Sequence, residues 1–345
     1  MKVAIITDQH FGVRKSDKNF HSYFKKFYDT VFFPTLEERG ITHLIDMGDT
    51  FDNRKHIDLW ALKWSKQNYY DKLAEIGVQV HTVVGNHTAY YKNTNAINSV
   101  DLLMREYNNI TVYSEITEDK IDNLNILFVP WINSENREES IKQIKSSECQ
   151  IVMGHLELNG FSPYKGHVMT EGMECDVFEN FKYVFSGHYH TRSDNGKIFY
   201  LGNPYQLYWN DVNDKRGFHI FDTQTYKLEF IENPYEMFKI VEYSDTPHQM
   251  YKYNECFEKY VKLVVKKKTN VKQFEKFFDK LSNASPIELK VIDEVEIDEC
   301  DVEVLESEGT IAILDKYIDN AEIDLNKNSL KSLIQSIYKE ASEVE

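Results

Sequence analysis

The sequence predicts an α/β protein in which two mixed β-sheets face each other and helices flank them, a four-layer arrangement. Two observations lead to this class. In the first 110 residues, short apolar runs alternate with amphipathic helical periods, which is typical of a sheet covered by helices. Further apolar runs of strand length then follow with fewer helices between them, which indicates a second sheet.

The elements of the first half follow from the period of the apolar residues. Buried strands are predicted at 2–8, 42–49 and 78–86. Helices are predicted at 19–39, 58–76 and near 95–106, and the first two end at Gly40 and Gly77.

The second half is predicted to contain shorter strands with hairpin spacing, and therefore a more antiparallel sheet. Strands are expected first at 110–114, 125–130, 149–155 and 183–190, and the shorter strands with hairpin spacing follow at 197–203, 217–223 and 227–233.

The pattern changes near residue 237. Residues 237–292 have the pattern of a small β-α-β cap domain. Residues 293–308 carry nine acidic side chains and no lysine or arginine, which favours a solvated linker. A strand is the alternative, because the acids alternate with Val and Ile. Two amphipathic helices that form a hairpin are expected near the C-terminus. The predicted domains are therefore 1–236, 237–292, 293–308 and 309–345.

The composition excludes a membrane-spanning protein but leaves most other classes of protein open. A net charge of −16 argues by itself against a nucleic-acid partner, yet nine lysines lie within 259–290, so local charge is the better guide. No apolar run is long enough to cross a bilayer. The four cysteines lie far apart without metal-type spacing, so we expect reduced thiols and a cytoplasmic location.

Polar side chains follow five of the predicted strands where each strand ends. Because ligands bind at the carboxyl ends of strands in α/β sheets, we expect these side chains to converge. They are Asp8, His10, Asp49, Asn86, His87, His155, His188 and His190. Carboxylate, amide and imidazole groups without a thiolate suit manganese, iron or zinc, and one carboxylate between two ions is typical of two-metal hydrolases.

The motifs D-x-H, G-D-x-x-D, G-N-H, G-H and G-H-x-H, in this order, resemble the calcineurin-like metallophosphoesterase superfamily over roughly residues 1–205. Within that superfamily, GDTFDNRK, the β-α-β unit and the terminal helices resemble the SbcD-type double-strand-break repair nucleases. The stretch MGHLELNGFSPYKG and the chain length are similar to the phage members of that group, for which the location would be the host-cell cytoplasm.

The resemblance implies a role for each residue at the strand ends. The first of two divalent metal ions would be held by Asp8, His10 and His190. The second would be held by Asn86, His155 and His188. Asp49 would bridge the ions, and His87 would lie over the scissile phosphate as the catalytic residue. Manganese is the expected metal, with magnesium as the alternative.

The motifs do not decide the roles of two residues near them, Thr88 and Asp52. Thr88 stands where the family usually has Asp or Glu after G-N-H, and that acid often helps to orient the neighbouring imidazole. Asp52 either forms a structural hydrogen bond or supports a metal ligand or the phosphate.

The resemblance implies a DNA nuclease that degrades duplex ends, cuts single strands and serves recombination and repair. A phosphomonoesterase or cyclic-nucleotide phosphodiesterase, and a non-catalytic DNA-end tether, are the alternatives, because the same ligands serve each of them. Lysines of the cap are either a solvated face or contacts to the DNA backbone. Those named for DNA are Lys266, Lys267 and Lys268.

Two protein partners are also expected. A coiled-coil ABC-type ATPase would bind 309–345, whose apolar stripes alternatively pack on their own core. A second copy of the chain would bind through helices within 58–106, for which core packing is the alternative.

Overall fold

The computed structural model describes residues 1–164, 168–170, 172–245, 251–293, 318, 327, 330 and 331. Contacts divide the chain into two units, Met1–Phe238 and Lys239–Glu345. The predicted class, an α/β protein with two sheets and flanking helices, is confirmed. The linker beyond Asp293 and the C-terminal hairpin lie outside the described residues, except for four helical positions, Ile318, Lys327, Leu330 and Lys331.

The first sheet has six strands in the order β14-β13-β1-β2-β3-β6. Four strands are parallel to one another: β1 (Lys2–Ile6), β2 (His43–Asp46), β3 (Gln79–Val83) and β6 (Ile110–Tyr113). The other two form an antiparallel hairpin: β13 (Gly217–Asp222) and β14 (Leu228–Glu232). The sequence placed this hairpin in the second sheet, and that was wrong. β13 instead pairs with β1, which would otherwise leave an open edge beside the parallel strands.

The second sheet also has six strands, in the order β11-β12-β10-β9-β8-β7. Its bounds are β7 (Thr117–Ile121), β8 (Leu124–Val129), β9 (Ile151–His155), β10 (Tyr183–Gly187), β11 (Ser193–Asp194) and β12 (Ile198–Tyr200). The expectation of a more antiparallel sheet was wrong, because the three central pairs are parallel and only the edge pairs are antiparallel. Long connections, one containing the helix Arg137–Ser146, return each central strand to the same end of the sheet.

The apolar core lies between the two sheets. Alternate residues of the first sheet, such as Ile5 and Ile45, pack against Phe128, Met153 and Phe185 of the second, and all five are almost completely buried. Because side chains alternate between faces along a strand, this packing fixes the register of both sheets and brings strand ends of both into one region.

Two long helical segments cover the first sheet. Each is an α-helix interrupted by one π-helical turn, and their parts are Lys18–Phe27, Tyr28–Phe32 and Phe33–Arg39, then Leu59–Ser65, Lys66–Tyr70 and Asp71–Glu75. Tyr28 and Tyr69, one from each π-helical turn, reach the buried side chain of Gln9. Tyr28 donates to Gln9 Oε1, and Gln9 Nε2 donates to the Tyr69 hydroxyl at 3.3 Å.

The helix predicted near 95–106 was wrong in its first half. Residues Thr94–Asn98 form β5, which pairs with β4 (Ala89–Tyr91) in a two-stranded hairpin. The side chain of Asn98 accepts a hydrogen bond from the Asp101 amide, so the helix begins only at Ser99 and ends at Leu103. The region 58–106 therefore presents a hairpin as well as helices.

The second unit contains the predicted β-α-β arrangement. β16 (Tyr260–Lys267) and β17 (Glu288–Asp293) are parallel and are joined by the helix Val271–Asn283. A strand that the sequence did not predict, β15 (Phe238–Ser244), extends the sheet on the other side of β16. Leu263, Phe277 and Leu281 are buried at the centre of this unit.

The described residues also contain the one-turn element Val13–Ser16 and three short 3-10 helices, at Cys175–Phe178, Trp209–Asp211 and Tyr253–Cys256. Among the described residues, none of the helices combines the length and the apolar character needed to cross a bilayer.

Candidate metal centre

Five strands of the two sheets end at one place. The parallel strands β1, β2 and β3 of the first sheet and β9 and β10 of the second bring their carboxyl ends together. The eight predicted side chains follow or end these strands. Their ligand atoms form three groups, each within 4.8 Å: Asp8 with His10 and His190; His10 with Asp52 and His87; and Asp49 with His155 and His188.

The first group joins β1 to β10. His10 Nε2 lies 3.1 Å from His190 Nε2, and His190 Nε2 lies 3.9 Å from Asp8 Oδ1. Hydrogen bonds fix the orientation of the Asp8 carboxylate. The Thr7 hydroxyl donates to it at 2.6 Å, and the His188 amide donates to both of its oxygens. Two imidazole nitrogens and one carboxylate oxygen thus share a small volume, as the sequence predicted for a first metal ion.

The second group centres on Asn86. Its Oδ1 lies 2.9 Å from His155 Nε2 and 3.0 Å from His188 Nδ1. Asp49 Oδ2 lies 3.2 Å from the same His155 Nε2. All the residues predicted for the second ion are therefore in contact, together with the carboxylate predicted to bridge.

The Asp49 carboxylate interacts electrostatically with imidazoles of both groups of ligand atoms. Burial acts to raise the pKa of its carboxyl, but the imidazole of His155, followed by those of His87 and His10, holds that pKa far below its usual range. Burial acts to lower the pKa of His155, but Asp49, with Asp8 and the Met47 carbonyl, outweighs it and raises that pKa. The imidazoles around Asp49, His155 above all, thus offset the charge of the buried carboxylate.

The backbone is unusual at the predicted ligands. Asp8, His10, Asp49 and His188 all have positive φ, between 48° and 82°, where a residue other than glycine is strained. Such strain costs about 1–3 kcal/mol per residue and persists where the surrounding structure determines it, often at functional sites. Each of these residues lies within four positions of the end of its strand.

Glycines permit the close approach of the strand ends. A Cβ atom on Gly85 would lie 2.2 Å from Asp49 Oδ1, and one on Gly187 would lie 2.0 Å from Thr7 Oγ1. A Cβ atom on Gly48 would lie 2.7 Å from His155 Nδ1. The recurring glycines of the motifs are thus explained by the space that the predicted ligands occupy.

The orientation of His155 is set by a hydrogen bond on the far side of its ring. Its Nδ1 lies 2.8 Å from the carbonyl oxygen of Met47. Because a carbonyl oxygen only accepts, Nδ1 carries the proton and Nε2 faces the cluster. This is the arrangement that metal-binding histidines usually have.

His87, the predicted catalytic residue, lies beside the first group. Its ring centroid is 4.9 Å from that of His10, and its amide donates to Asp49 Oδ1 at 2.8 Å. Thr88 does not orient this ring, because its hydroxyl accepts from the Gly85 amide and donates to the Gly85 carbonyl. The ring is instead held by Asp52, whose carbonyl oxygen lies 2.6 Å from His87 Nδ1.

Asp52 therefore does more than form one structural hydrogen bond. Its carboxylate Oδ1 lies 3.2 Å from His10 Nδ1, while its carbonyl contacts His87. Burial acts to lower the pKa of His10, but the carboxylates of Asp52, Asp49 and Asp8 together outweigh it, so the pKa is raised.

Three residues at the site were missed by the sequence interpretation. Trp131 follows β8, and its ring centroid is 5.0 Å from that of His188. Arg216 is buried and donates to the carbonyl of His190 and to Asn203 Oδ1. Arg54, from the GDTFDNRK motif, is half-buried and is attracted by the charge of Asp49. Trp131 had a usable signal, since it follows a predicted strand whose neighbour carries His155, and Arg54 lies in a motif that the sequence analysis quotes.

The three lysines proposed for DNA contact lie in the second unit, on and just after β16. Lys266 forms an ion pair with Glu242 at 3.2 Å, and the Lys268 ammonium lies 4.0 Å from the ring centroid of Phe274. Lys267 is exposed. Two of the three cations thus have neighbours within their own unit.

The comparisons agree with this geometry. A model of the calcineurin-like phosphoesterase family matches residues 1–192. The chain is also 32% identical over 358 aligned residues to exonuclease subunit 1 of Enterobacteria phage T4, an alignment that covers 99% of this chain and all of that protein.

The chain belongs to the calcineurin-like phosphoesterase family. The resemblance to that family and to its phage members is thereby confirmed. Two solved structures are also similar. One is an archaeal phosphodiesterase with 12% identity and a TM-score of 0.36, covering 68% of this chain and 100% of that one. The other is the phosphoesterase YfkN from Bacillus subtilis, with 11% identity and a TM-score of 0.34, covering 67% and 88%.

Family membership implies divalent metal ions, and the residues present suit them. Oxygen and imidazole donors converge without a thiolate, and a carboxylate lies between two groups of imidazoles. The pKa of His190 is well below its usual value, first because of burial and then because of His10 and Arg216, so its nitrogen is available to a cation.

Proposed function

We propose that the chain is a two-metal-dependent DNA nuclease, the catalytic subunit of a recombination and repair complex. The observation that carries this proposal is the similarity to phage T4 exonuclease subunit 1, which runs through nearly the whole of both chains. A relative that shared only the phosphoesterase domain would support the chemistry but not a nucleic-acid substrate.

The proposed metal ligands are those that the strand ends bring together. One ion would be held by Asp8, His10 and His190, and the other by Asn86, His155 and His188. Asp49, between the two groups, would bridge them. Bound there, two divalent ions supply a nucleophilic water at neutral pH and neutralise charge on the phosphate.

His87 is proposed to act on the reacting phosphodiester directly. Because its Nδ1–H is committed to the carbonyl of Asp52, only Nε2 is left to face a substrate. At Nε2 the ring can donate a hydrogen bond to a phosphate oxygen or hold the proton that the leaving oxygen takes up. Arg54, near Asp49, adds a fixed positive charge for the same phosphate.

The test of the proposed function is metal-dependent release of nucleotides from linear duplex DNA and cutting of circular single-stranded DNA. We expect both activities with manganese, weaker activities with magnesium, and none in the Asp49→Asn variant. A matched assay uses p-nitrophenyl phosphate and a cyclic nucleotide. Faster hydrolysis of either small substrate than of DNA would identify a phosphomonoesterase or cyclic-nucleotide phosphodiesterase instead. DNA binding without hydrolysis under any metal would indicate a tether.

The partner proposed for the C-terminal segment is a coiled-coil ABC-type ATPase. The T4 relative is named as a subunit, which supports an assembly of this kind. A chain that ends at Glu308 should lose co-purification with the ATPase while keeping its activity on single-stranded DNA. Full retention of the partner by this shorter chain would contradict the assignment.

The unit that follows residue 238 is proposed as the domain that contacts the DNA backbone. Replacement of Lys266, Lys267 and Lys268 by glutamine should weaken DNA binding and lower the dependence of affinity on salt. Since Lys266 already pairs with Glu242, we expect Lys267 to contribute most. Unchanged affinity and salt dependence would show that these lysines do not contact the DNA backbone.

A further inference from the structure

A pocket of about 510 Å³ borders the metal centre on the side of His10. One wall is the segment that follows the D-x-H motif, from Phe11 to Ser16, and the other is the loop from Asp52 to Asp58. Asp52 belongs both to this pocket and to the third group of ligand atoms. A volume of this size is in the range of small-ligand sites.

The first wall contains a rare backbone conformation. Arg14, Lys15 and Ser16 all have positive φ, between 52° and 61°, so three consecutive residues other than glycine form a left-handed turn. Such residues each cost about 1–2 kcal/mol relative to a right-handed turn. The chain therefore keeps this turn against a local preference, and the side chains that it presents are those of the pocket.

Hydrogen bonds from a buried histidine hold the turn. His21 Nε2 accepts from the Gly12 amide at 3.2 Å, and His21 Nδ1 donates to the Asp17 carbonyl at 2.8 Å. The Ser16 amide closes the turn on the Gly12 carbonyl at 2.9 Å. The turn is thus fixed at both ends, which keeps the positions of Arg14 and Lys15 constant.

Aromatic rings fix the guanidinium of Arg14. Its Cζ lies 5.5 Å from the ring centroid of Phe20, 5.9 Å from that of Tyr208 and 6.0 Å from that of Phe238. Such contacts orient the plane of the guanidinium and leave its donors at the edge. The Tyr208 ring also lies parallel to that of His190 at 6.1 Å, so Arg14 is one ring away from the proposed first metal site.

The acids of the pocket are engaged elsewhere. Asp58 caps the helix Leu59–Ser65 and accepts from the amides of Trp60 and Ala61. The Asp52 carboxylate faces His10. Within the part of the chain that the structure describes, neither Arg14 nor Lys15 has an acidic partner at ion-pair distance. The exposed side chains of Arg14 and Lys15 therefore line the pocket without a compensating acid, and the Arg14 guanidinium also contacts aromatic rings.

We propose that this pocket binds the phosphate of the nucleotide next to the phosphodiester that is cut, with Arg14 and Lys15 as the positioning residues. This inference rests on the proposed nuclease function and specifies how the same site holds its strand. Arg14 can bind two oxygens of one phosphate, and Lys15 adds a point charge. The subsite sets the register of the strand and does not take part in bond breaking.

The test compares the full chain with the double variant Arg14→Asn/Lys15→Asn. Asparagine tolerates a left-handed backbone, so the variant should fold, which thermal unfolding checks. The control, Lys142→Gln/Lys145→Gln, removes two exposed charges from the helix Arg137–Ser146. The readout is the affinity for a fluorescent hexathymidylate in EDTA, where no cleavage occurs, as a function of salt. Each lost phosphate contact on a single strand lowers the logarithmic salt slope by about 0.7.

We expect the pocket variant to bind at least fivefold more weakly with a lower salt slope, and the control to behave as the wild type. With manganese present, its KM for the oligonucleotide should rise while kcat on bis(p-nitrophenyl) phosphate, which is too short to reach the pocket, stays unchanged. A wild-type chain that cuts DNA, with a variant of unchanged KM and salt slope, overturns the subsite alone.

A third arm separates the subsite from the proposed function. Thymidine 5′-phosphate and inorganic phosphate are titrated while the side-chain Nε–H signal of Arg14 is followed by NMR. If the nucleotide shifts this signal but DNA is neither bound nor cut, the anion site stands and the nuclease proposal falls. If neither the nucleotide nor DNA has any effect, both proposals fall.

Discussion

The carbonyl oxygen of Asp52 accepts a hydrogen bond from Nδ1 of His87 at 2.6 Å. The family usually supplies an acidic side chain for this purpose directly after the histidine, where this chain has Thr88. Here the orienting oxygen comes from the backbone of another loop. A backbone carbonyl keeps its position when side chains change, so the loss of the acid need not reduce the activity of His87.

The first prediction separates His87 from Thr88. His87→Gln should lower kcat on DNA by about 10²- to 10⁴-fold, the usual range for loss of an acid–base group, with little change in manganese affinity. Thr88→Val should cost stability, because two hydrogen bonds to Gly85 are lost, but should keep kcat of the folded protein. Kinetics with calorimetric metal titration check both. Equal losses of kcat in the two variants would contradict this division of roles.

The second prediction concerns Arg216, which holds the turn that carries His190. It donates to the His190 carbonyl and pairs with Asp211 at 2.8 Å and Asp214 at 3.0 Å. Arg216→Met should leave the buried Asp211 and the partly exposed Asp214 without a cation, at a cost of about 3–5 kcal/mol, and should weaken one of the two proposed metal sites about 10- to 100-fold.

Lys215→Gln is the matched control for Arg216. Lys215 is the neighbouring residue, and its pair with Glu232 is exposed, so its loss should change the free energy of unfolding by less than about 1 kcal/mol. Manganese titration monitored by electron paramagnetic resonance counts the tight sites in each variant. Two tight sites in a folded Arg216→Met protein would show that the arginine does not position His190.

The third prediction uses the glycines. Gly85→Ala places a Cβ atom 2.2 Å from Asp49 Oδ1 and should abolish binding of at least one metal ion. Gly77→Ala is the control, because Gly77 also has positive φ, of 72°, but has no atom within 4 Å of the added Cβ. It should cost only about 1 kcal/mol of stability and keep both ions. Normal metal binding by Gly85→Ala would refute the close packing of strand ends.

The fourth prediction concerns stability and pH at His81. Its Nδ1 lies 2.9 Å from the Tyr113 hydroxyl, which donates to Asp119, and its Nε2 lies 3.0 Å from His43 Nδ1. Burial, assisted by His43, lowers the pKa of His81 from 6.5 to about 4. The unfolded chain therefore binds a proton first, so the stability that the neutral ring contributes is present above pH 6.5 and is lost as pH falls toward 4.

The full effect of His81 is at most about 3 kcal/mol, since one pKa unit corresponds to about 1.4 kcal/mol. His81→Phe should be less stable than the wild type at pH 7.5, and the difference should shrink as pH falls to 4.5. Urea unfolding at both values measures the difference, which cancels the titration of other groups common to both proteins. A difference that stays constant with pH would show that His81 titrates normally when folded.

The fifth prediction tests a homodimer. Apolar side chains are exposed on the described part of 58–106, and the most exposed are Leu59 at 81%, Leu102 at 54%, Tyr91 at 50% and Ile97 at 45%. Exposed apolar side chains that gather into one patch mark interaction sites, so we expect a homodimer to cover some of these residues. Leu59→Glu/Leu102→Glu should shift the sedimentation of a dimer to that of a monomer while activity on single strands remains. The same sedimentation for wild type and variant would exclude this face.

Much of the site could be predicted from the sequence because the chemistry of metal binding restricts the residues that can end a strand. Asp8, Asp49 and His155 each follow an apolar run and a change of backbone direction, and such a signal is local. The pairing of β13 with β1 is a contact across more than 200 residues. Nothing in either strand alone specifies that partner, which is why the hairpin was placed in the wrong sheet.

The other features that the sequence did not predict depend on hydrogen bonds of main-chain atoms. No rule of composition predicts a left-handed turn at Arg14–Ser16, because its reason lies in hydrogen bonds to His21 and not in the residues themselves. Asp52 was recognised as a side chain, but its carbonyl proved equally important. Main-chain atoms are the same in every residue, so the sequence does not reveal which of them a site will use.

The two π-helical turns connect the helices that cover the first sheet to the segment that carries Asp8 and His10. Tyr28 and Tyr69 form hydrogen bonds with Gln9 from two different helical segments. Gln9 is the single residue between Asp8 and His10. The helical segment that carries Tyr69 begins at Leu59, on the exposed apolar face. The residue between the predicted metal ligands Asp8 and His10 is therefore tied, through Tyr69, to a helical segment whose first residue, Leu59, is exposed.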